Sequence, residues 1–424
     1  MEIIKEGTAQ GENMQIIIST GITIAFLALT TAVGVSGEPS SNDSLPIILE
    51  NGVAKVTIEA SGMARITDFK LISKPLMTIM PLRGGSREEI PGTGVTSNPS
   101  STYGTVDAVW SNGLDTFSTS RYQSQVLVGK DGVRSVRVSA DSGEWGIERV
   151  MTLRTGSSAL DVEVKLVNKG ASKQRKSYWF QSFLRLADTL NSMAGDDSEL
   201  LIVPVRSHPA NTQLQDRAMP NVCGEDRLFL RNPETRENFI FAPAAPWIAS
   251  IDRTNKLVFG LAADPEAFPG DMFFLSWCGI PSEVYSMEAI FQSKELAPGD
   301  SLSSKFRLMT LNGLDDVHFL CMDYAFELVN PPKQALSSDG SISLKMSVLS
   351  PFRGSSVKFE LILTDAKGQV SKALVELDGL EPDKPKLKDL TIPLASLSPG
   401  KVTMSLKHAD GRTWKMPGLD INLK

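Results

Sequence analysis

From residue 45 onward, apolar and polar positions alternate with a period of two along most of the chain. Val357, Phe359, Leu361 and Leu363 fall on one face of "VKFELIL". Ile342, Leu344, Met346 and Val348 do the same in "SISLKMSV", and Leu160, Val162, Val164 and Leu166 in "LDVEVKLV". Each pattern predicts a strand with one buried face. Turn signals punctuate the strands at short intervals: Asp131-Gly132, Asn168-Lys169-Gly170, Pro298-Gly299, Asp339-Gly340 and Asp410-Gly411. Helical periodicity is nearly absent, the best candidate being a short stretch in "FLRLADTLNSMAG". The expected class is all-β.

The rhythm divides the chain. Pro331-Pro332 stops any strand and a polar stretch follows. About six strand-like runs come after it, which suit a small immunoglobulin-like β-sandwich over residues 335–424. Residues 45–330 are too many for one ordinary sandwich and predict a large two-sheet body. Within that body the alternation lapses in "VPVRSHPANTQLQDRAMPNVCGEDRLFLRNPETRENF". Irregular loops on a rigid sheet are where binding groups collect. At the other end, an apolar stretch from Ile16 to Val35 ends in small residues, with Val35-Ser36-Gly37 as a cleavage site. Residues 1–37 read as a signal peptide, or alternatively as an N-terminal anchor, and 38–44 as a linker. The rest is expected to be periplasmic or secreted, with no membrane span in the mature chain.

Composition narrows the function. The chain has 424 residues and a net charge of -6, with no basic cluster carrying interleaved aromatics, so nucleic acid is not an expected partner. Cys223, Cys278 and Cys321 lack CxxC spacing and are odd in number, which argues against a zinc site. "GDDSE", with Asp196, Asp197 and Glu199, reads as a solvated acidic turn rather than a calcium site. No phosphate loop, nucleophile elbow or HExxH is present, and no cofactor or metal is expected.

Candidate chemistry gathers around a carboxylate. In "YSMEAIF", Ser286, Glu288 and Ile290 share one face of a strand, and Tyr285, Met287 and Ala289 share the other. Trp277 lies one loop upstream, in a Gly-Pro region where ligand stacking and core packing are equally open readings. Tyr178, Trp179 and Arg185 come from "SYWFQSFLRL", and Arg206 stands beside His208 in "VRSHP". For Trp145 and Trp179, core packing is the favoured reading.

Four ordered stretches carry a resemblance. "LENGVAKVTIEASGMARITDFKL" resembles an opening hairpin and "WGIERVMTLRTGSSALDVEVKLVNKG" a long central one. "PWIASIDRTNKLVFGLAADP" resembles a strand pair ahead of a cleft, and "YSMEAIFQSKELAPGDSLSSKFRLMTLNGL" a closing pair. Together they resemble the galactose-mutarotase-like (aldose 1-epimerase-like) β-supersandwich superfamily over most of residues 45–315. The resemblance implies a supersandwich binding a mono- or oligosaccharide, with a Glu as general base and a His as general acid at the anomeric centre. The Glu matches Glu288. Of three histidines, His318 follows the closing strand and His408 lies in the C-terminal part, which leaves His208 as the acid. Arg206, Tyr178, Arg185 and Trp277 are then substrate-binding candidates. The expected function is that of a mutarotase or epimerase. The alternatives are a non-catalytic glycan-binding or glycan-assembly protein, and a polysaccharide lyase using Tyr178 or Tyr285 with Arg206.

Overall fold

The computed structural model describes residues 45–423, apart from 79–104, 187–198, 205–226, 229–237, 265–272, 278–284 and 331–339 and a few shorter breaks. All the described structure of any length is antiparallel β, in sheets of three, seven, nine, four and five strands. The chain is all-β, as its alternation implies.

The nine-stranded sheet is the spine. Gln123–Val128, Arg134–Ser142, Trp145–Leu153 and Ala159–Asn168 form a meander. The sheet continues through Ser301–Asn312, Leu257–Ala263, Trp247–Asp252, Glu199–Ile202 and Arg227–Leu228. The inner face packs Val138, Ile147, Met151, Val162, Phe259 and Leu308 into the largest core cluster. Tyr178, Phe180, Met287 and Ala289 of the seven-stranded sheet meet them there, with Val56 and Phe69 of the three-stranded sheet. This is sheet-on-sheet packing with interdigitated inner faces.

The nine-stranded sheet also buries half of its outer face. Val258, Ala262, Trp247, Ala249, Ile251, Met309 and Leu311 cluster with Leu320, Ala325 and Leu349 from the four-stranded sheet. That explains why Leu257–Ala263 and Trp247–Asp252 are buried at every position. A strand covered on both faces loses its alternation. The other half of the outer face stays polar. There Gln123, Ser139, Asp141, Glu148, Lys165 and Lys169 line a groove of about 450 Å³.

The four-stranded sheet (Phe319–Leu320, Ala325–Leu328, Ser341–Leu349, Lys386–Pro393) faces the five-stranded one across a second core. Tyr324 and Phe326 stack on Phe359 at ring-centroid distances of 5.0 and 5.5 Å. The double proline and the expected start at 335 suggest a later beginning than this sheet has. Its first two strands lie before Pro331: Phe319–Leu320 pairs with Ala325–Leu328, which in turn pairs with Ser341–Leu349. Pro331-Pro332 itself lies outside the described residues.

A buried polar cluster ties the sheets together. Arg149, fully buried on Trp145–Leu153, donates through Nη1 to Asp107 Oδ1 and Oδ2 at 2.9 and 2.8 Å. Its Nη2 donates to the carbonyl of Ala64, next to the three-stranded sheet. Tyr122 donates to Asp107 Oδ2 at 2.8 Å and Tyr178 to Oδ1 at 2.6 Å. Burial and the Asp107 charge hold both phenols well above their usual range. A carboxylate with this many donors is a satisfied buried charge, which an isolated one is not.

Candidate functional site

Glu288 sits on Tyr285–Ile290, an interior strand of the seven-stranded sheet. On one side it pairs with Gln181 of Gln174–Leu184, on the other with Leu275 of Phe273–Trp277. Its backbone groups are taken up inside the ladder, so only the side chain is available for chemistry. Met287 and Ala289 point into the main core. Alternation sends Ser286, Glu288 and Ile290 to the opposite face. Trp179, Gln181 and Phe183 belong to that face by register, opposite Ile290, Glu288 and Ser286.

Glu288 is 3% exposed. Ser286 donates its hydroxyl to Oε1. Oε2 is buried and makes no hydrogen bond of ordinary geometry among the described residues. Burial raises the pKa to about 8, while the Ser286 hydroxyl and the Trp179 indole favour the charged form and pull against it. Desolvation wins because one short hydroxyl and one indole do not replace the water a carboxylate loses. The result is a proton-exchanging group poised close to neutral pH, the setting general acid–base chemistry uses.

The other expected site residues fare differently. Trp277 ends the strand adjacent to that of Glu288, and its backbone position shares the Glu288 face. His208, Arg206 and Arg185 lie outside the described residues, as do Cys223, Cys278 and residues 1–44. Tyr178 is a correction. It is fully buried on the core face, bonded to Asp107, and separated from Glu288 by the thickness of the sheet. Its hydroxyl is taken up by Asp107 on the core side, and burial and that charge hold its pKa well above the usual range, which fits neither sugar contact nor a lyase base. Trp145 joins the core cluster as expected. Trp179, also assigned to core packing, is buried instead on the Glu288 face. Sequence reading passed over Ser286 as a partner, although its i, i+2 relation to Glu288 signals a shared face. Among the described residues no group of three or more His, Cys, Asp or Glu could hold a metal ion. No described helix is long and apolar enough to cross a membrane.

No protein-family model matches the chain, and no curated protein does. Solved structures do. A galactose mutarotase-like protein from Clostridium acetobutylicum is 11% identical with a TM-score of 0.44, covering 63% of this chain and 95% of its own. Another, from Lactobacillus casei ATCC 334, is 11% identical with a TM-score of 0.42, over 63% of this chain and 100% of its own. A galactose mutarotase related enzyme from Lactobacillus acidophilus is 12% identical with a TM-score of 0.40, over 65% and 100%.

Proposed function

We propose that the protein handles a sugar at the Glu288 face of the seven-stranded sheet, with Glu288 as the base of a mutarotase- or epimerase-type step. The observation that carries this is the state of Glu288. It is buried on the non-core face, held through one oxygen by Ser286, and its second oxygen makes no hydrogen bond of ordinary geometry among the described residues. In the step, Oε2 takes the proton of the anomeric hydroxyl as the bond from C1 to the ring oxygen breaks. A second group protonates the ring oxygen, and closure on the other face of the carbonyl reverses both transfers. We assign the second group to His208. We also propose that the chain is exported, on the strength of the apolar run Ile16–Val35 and its small-residue end.

A non-catalytic glycan-binding role is the second reading. It is favoured by the raised pKa, which keeps the carboxyl mostly protonated at neutral pH and able to donate to a sugar hydroxyl without turnover. Glu288→Gln separates the two, because it keeps the size and removes the proton affinity. The enzyme reading expects sugar binding within a few-fold of the parent and turnover down by roughly two to four orders of magnitude. Calorimetry and polarimetric mutarotation on a panel of free aldoses measure both. A parent with no mutarotation, whose sugar affinity drops in Glu288→Gln, supports binding alone. Equal turnover by parent and variant removes Glu288 from the chemistry.

A further inference from the structure

We propose that Ser286 is the positioning residue of the Glu288 site: it holds Oε1 so that Oε2 is kept for a single hydroxyl of an uncharged ligand. This rests on the reading that the Glu288 face handles a sugar. In an extended strand, residues i and i+2 stand on one face about 6–7 Å apart at the backbone. The long Glu side chain can fold back along the strand to meet the short Ser, and the structure shows that bond. Backbone groups do not substitute for it, because the strand pairs on both sides, with Gln181 and Leu275 opposite Glu288. Buried acceptors normally have partners. Among the described residues Oε2 makes no hydrogen bond of ordinary geometry, the Trp179 indole alone pulling on the carboxyl beside Ser286, and it is the atom an incoming group would satisfy.

The chemistry of that group follows from the carboxyl's two protonation states. A hydroxyl donates to an ionised carboxylate and accepts from a protonated one, so it fits both. A ligand carboxylate or phosphate fits only the protonated state and is repelled by the other. The burial that places the ionisation near neutrality makes both states relevant.

The test is a titration of the full chain labelled with carbon-13 in its glutamate carboxyls, with Glu288→Gln used to assign the signal. The parent signal is expected to titrate at about 8. Ser286→Ala removes a hydrogen bond to the charged form, and its midpoint should rise by about one unit. Ser286→Thr should restore it, since the hydroxyl returns. If Ser286→Ala does not fold, Ser286→Cys, a weaker donor, should show a smaller rise. A folded Ser286 variant lacking the hydroxyl with an unmoved midpoint overturns the proposal, whereas a merely structural role would alter the melt and leave the midpoint alone. D-galactose should then perturb the Glu288 signal more than D-galacturonate does. The predicted titration with no galactose response would overturn the hydroxyl contact and the sugar reading, leaving the hold of Ser286 on Glu288 intact. An equal or stronger response to galacturonate would overturn the preference for an uncharged ligand.

Discussion

A carboxyl group moved from water into the interior changes how stability responds to pH, and Glu288 sets the sign. Its folded pKa is about 8 against an ordinary value of 4.5, so between these values the folded protein binds more protons than the unfolded chain. Stability therefore falls as pH rises through that window, and the full penalty applies above it. Glu288→Gln should match the parent near pH 4 and exceed it at pH 9 by several kcal/mol, on the order of the shift itself. Urea melts at the two pH values check this. If turnover exists and Glu288 is the base, the rate has the opposite slope, rising with pH to a half-maximum near 8. The Asp107 cluster behaves differently, because its charges are paired. Arg149→Met leaves Asp107 buried without its cation and should cost about 3–5 kcal/mol, read from the same denaturation curves. Glu288 was legible in the sequence because a charged residue inside an apolar strand is conspicuous. The Asp107 cluster was not. Its members are ordinary residues 42 and 71 positions apart, and only the stacking of the sheets brings them together.

Strands with one wet face announced themselves by alternation: Ser355–Asp365 buries Val357, Phe359, Leu361 and Leu363, as the pattern predicts. Strands with two dry faces announced only that they were apolar, and nothing in "LVFGLAA" reveals which neighbour covers which side. The answer lies partly in Gly260. A Cβ there would sit 2.8 Å from Leu320 Cδ1 and 3.2 Å from Cδ2, so the missing side chain lets the four-stranded sheet lie close to the nine-stranded one. Gly260→Val should destabilise the protein by about 1–3 kcal/mol through overpacking. Pairing it with Leu320→Ala should recover part of that loss, since the two changes share one space. Additive effects in a thermal-melt cycle would show that the sheets do not meet at this point.

At the scale of the whole molecule, the expected cut at 335 and the observed sheet make different predictions for fragments. A fragment of residues 334–424 lacks Phe319, Tyr324, Phe326 and Leu328, all members of its core cluster. A fragment of residues 316–424 retains them and keeps both sheets whole. The longer piece should melt cooperatively, and the shorter should melt at lower temperature or without a transition. Equal melts in circular dichroism would restore the proline boundary. The double proline was a fair punctuation mark, since Pro cannot sit inside a ladder. Two strands of the sheet precede it in the chain, and no local signal reveals that. The buried ion pair carries a consequence for the history of the chain as well as for its strength. Asp107 draws on Tyr122, Arg149 and Tyr178, and Arg149 draws in turn on the carbonyl of Ala64. Losing either charge strands the other, so the two are expected to be inherited or replaced together. A descendant that loses one is viable only if an apolar substitute for its partner arrives with it.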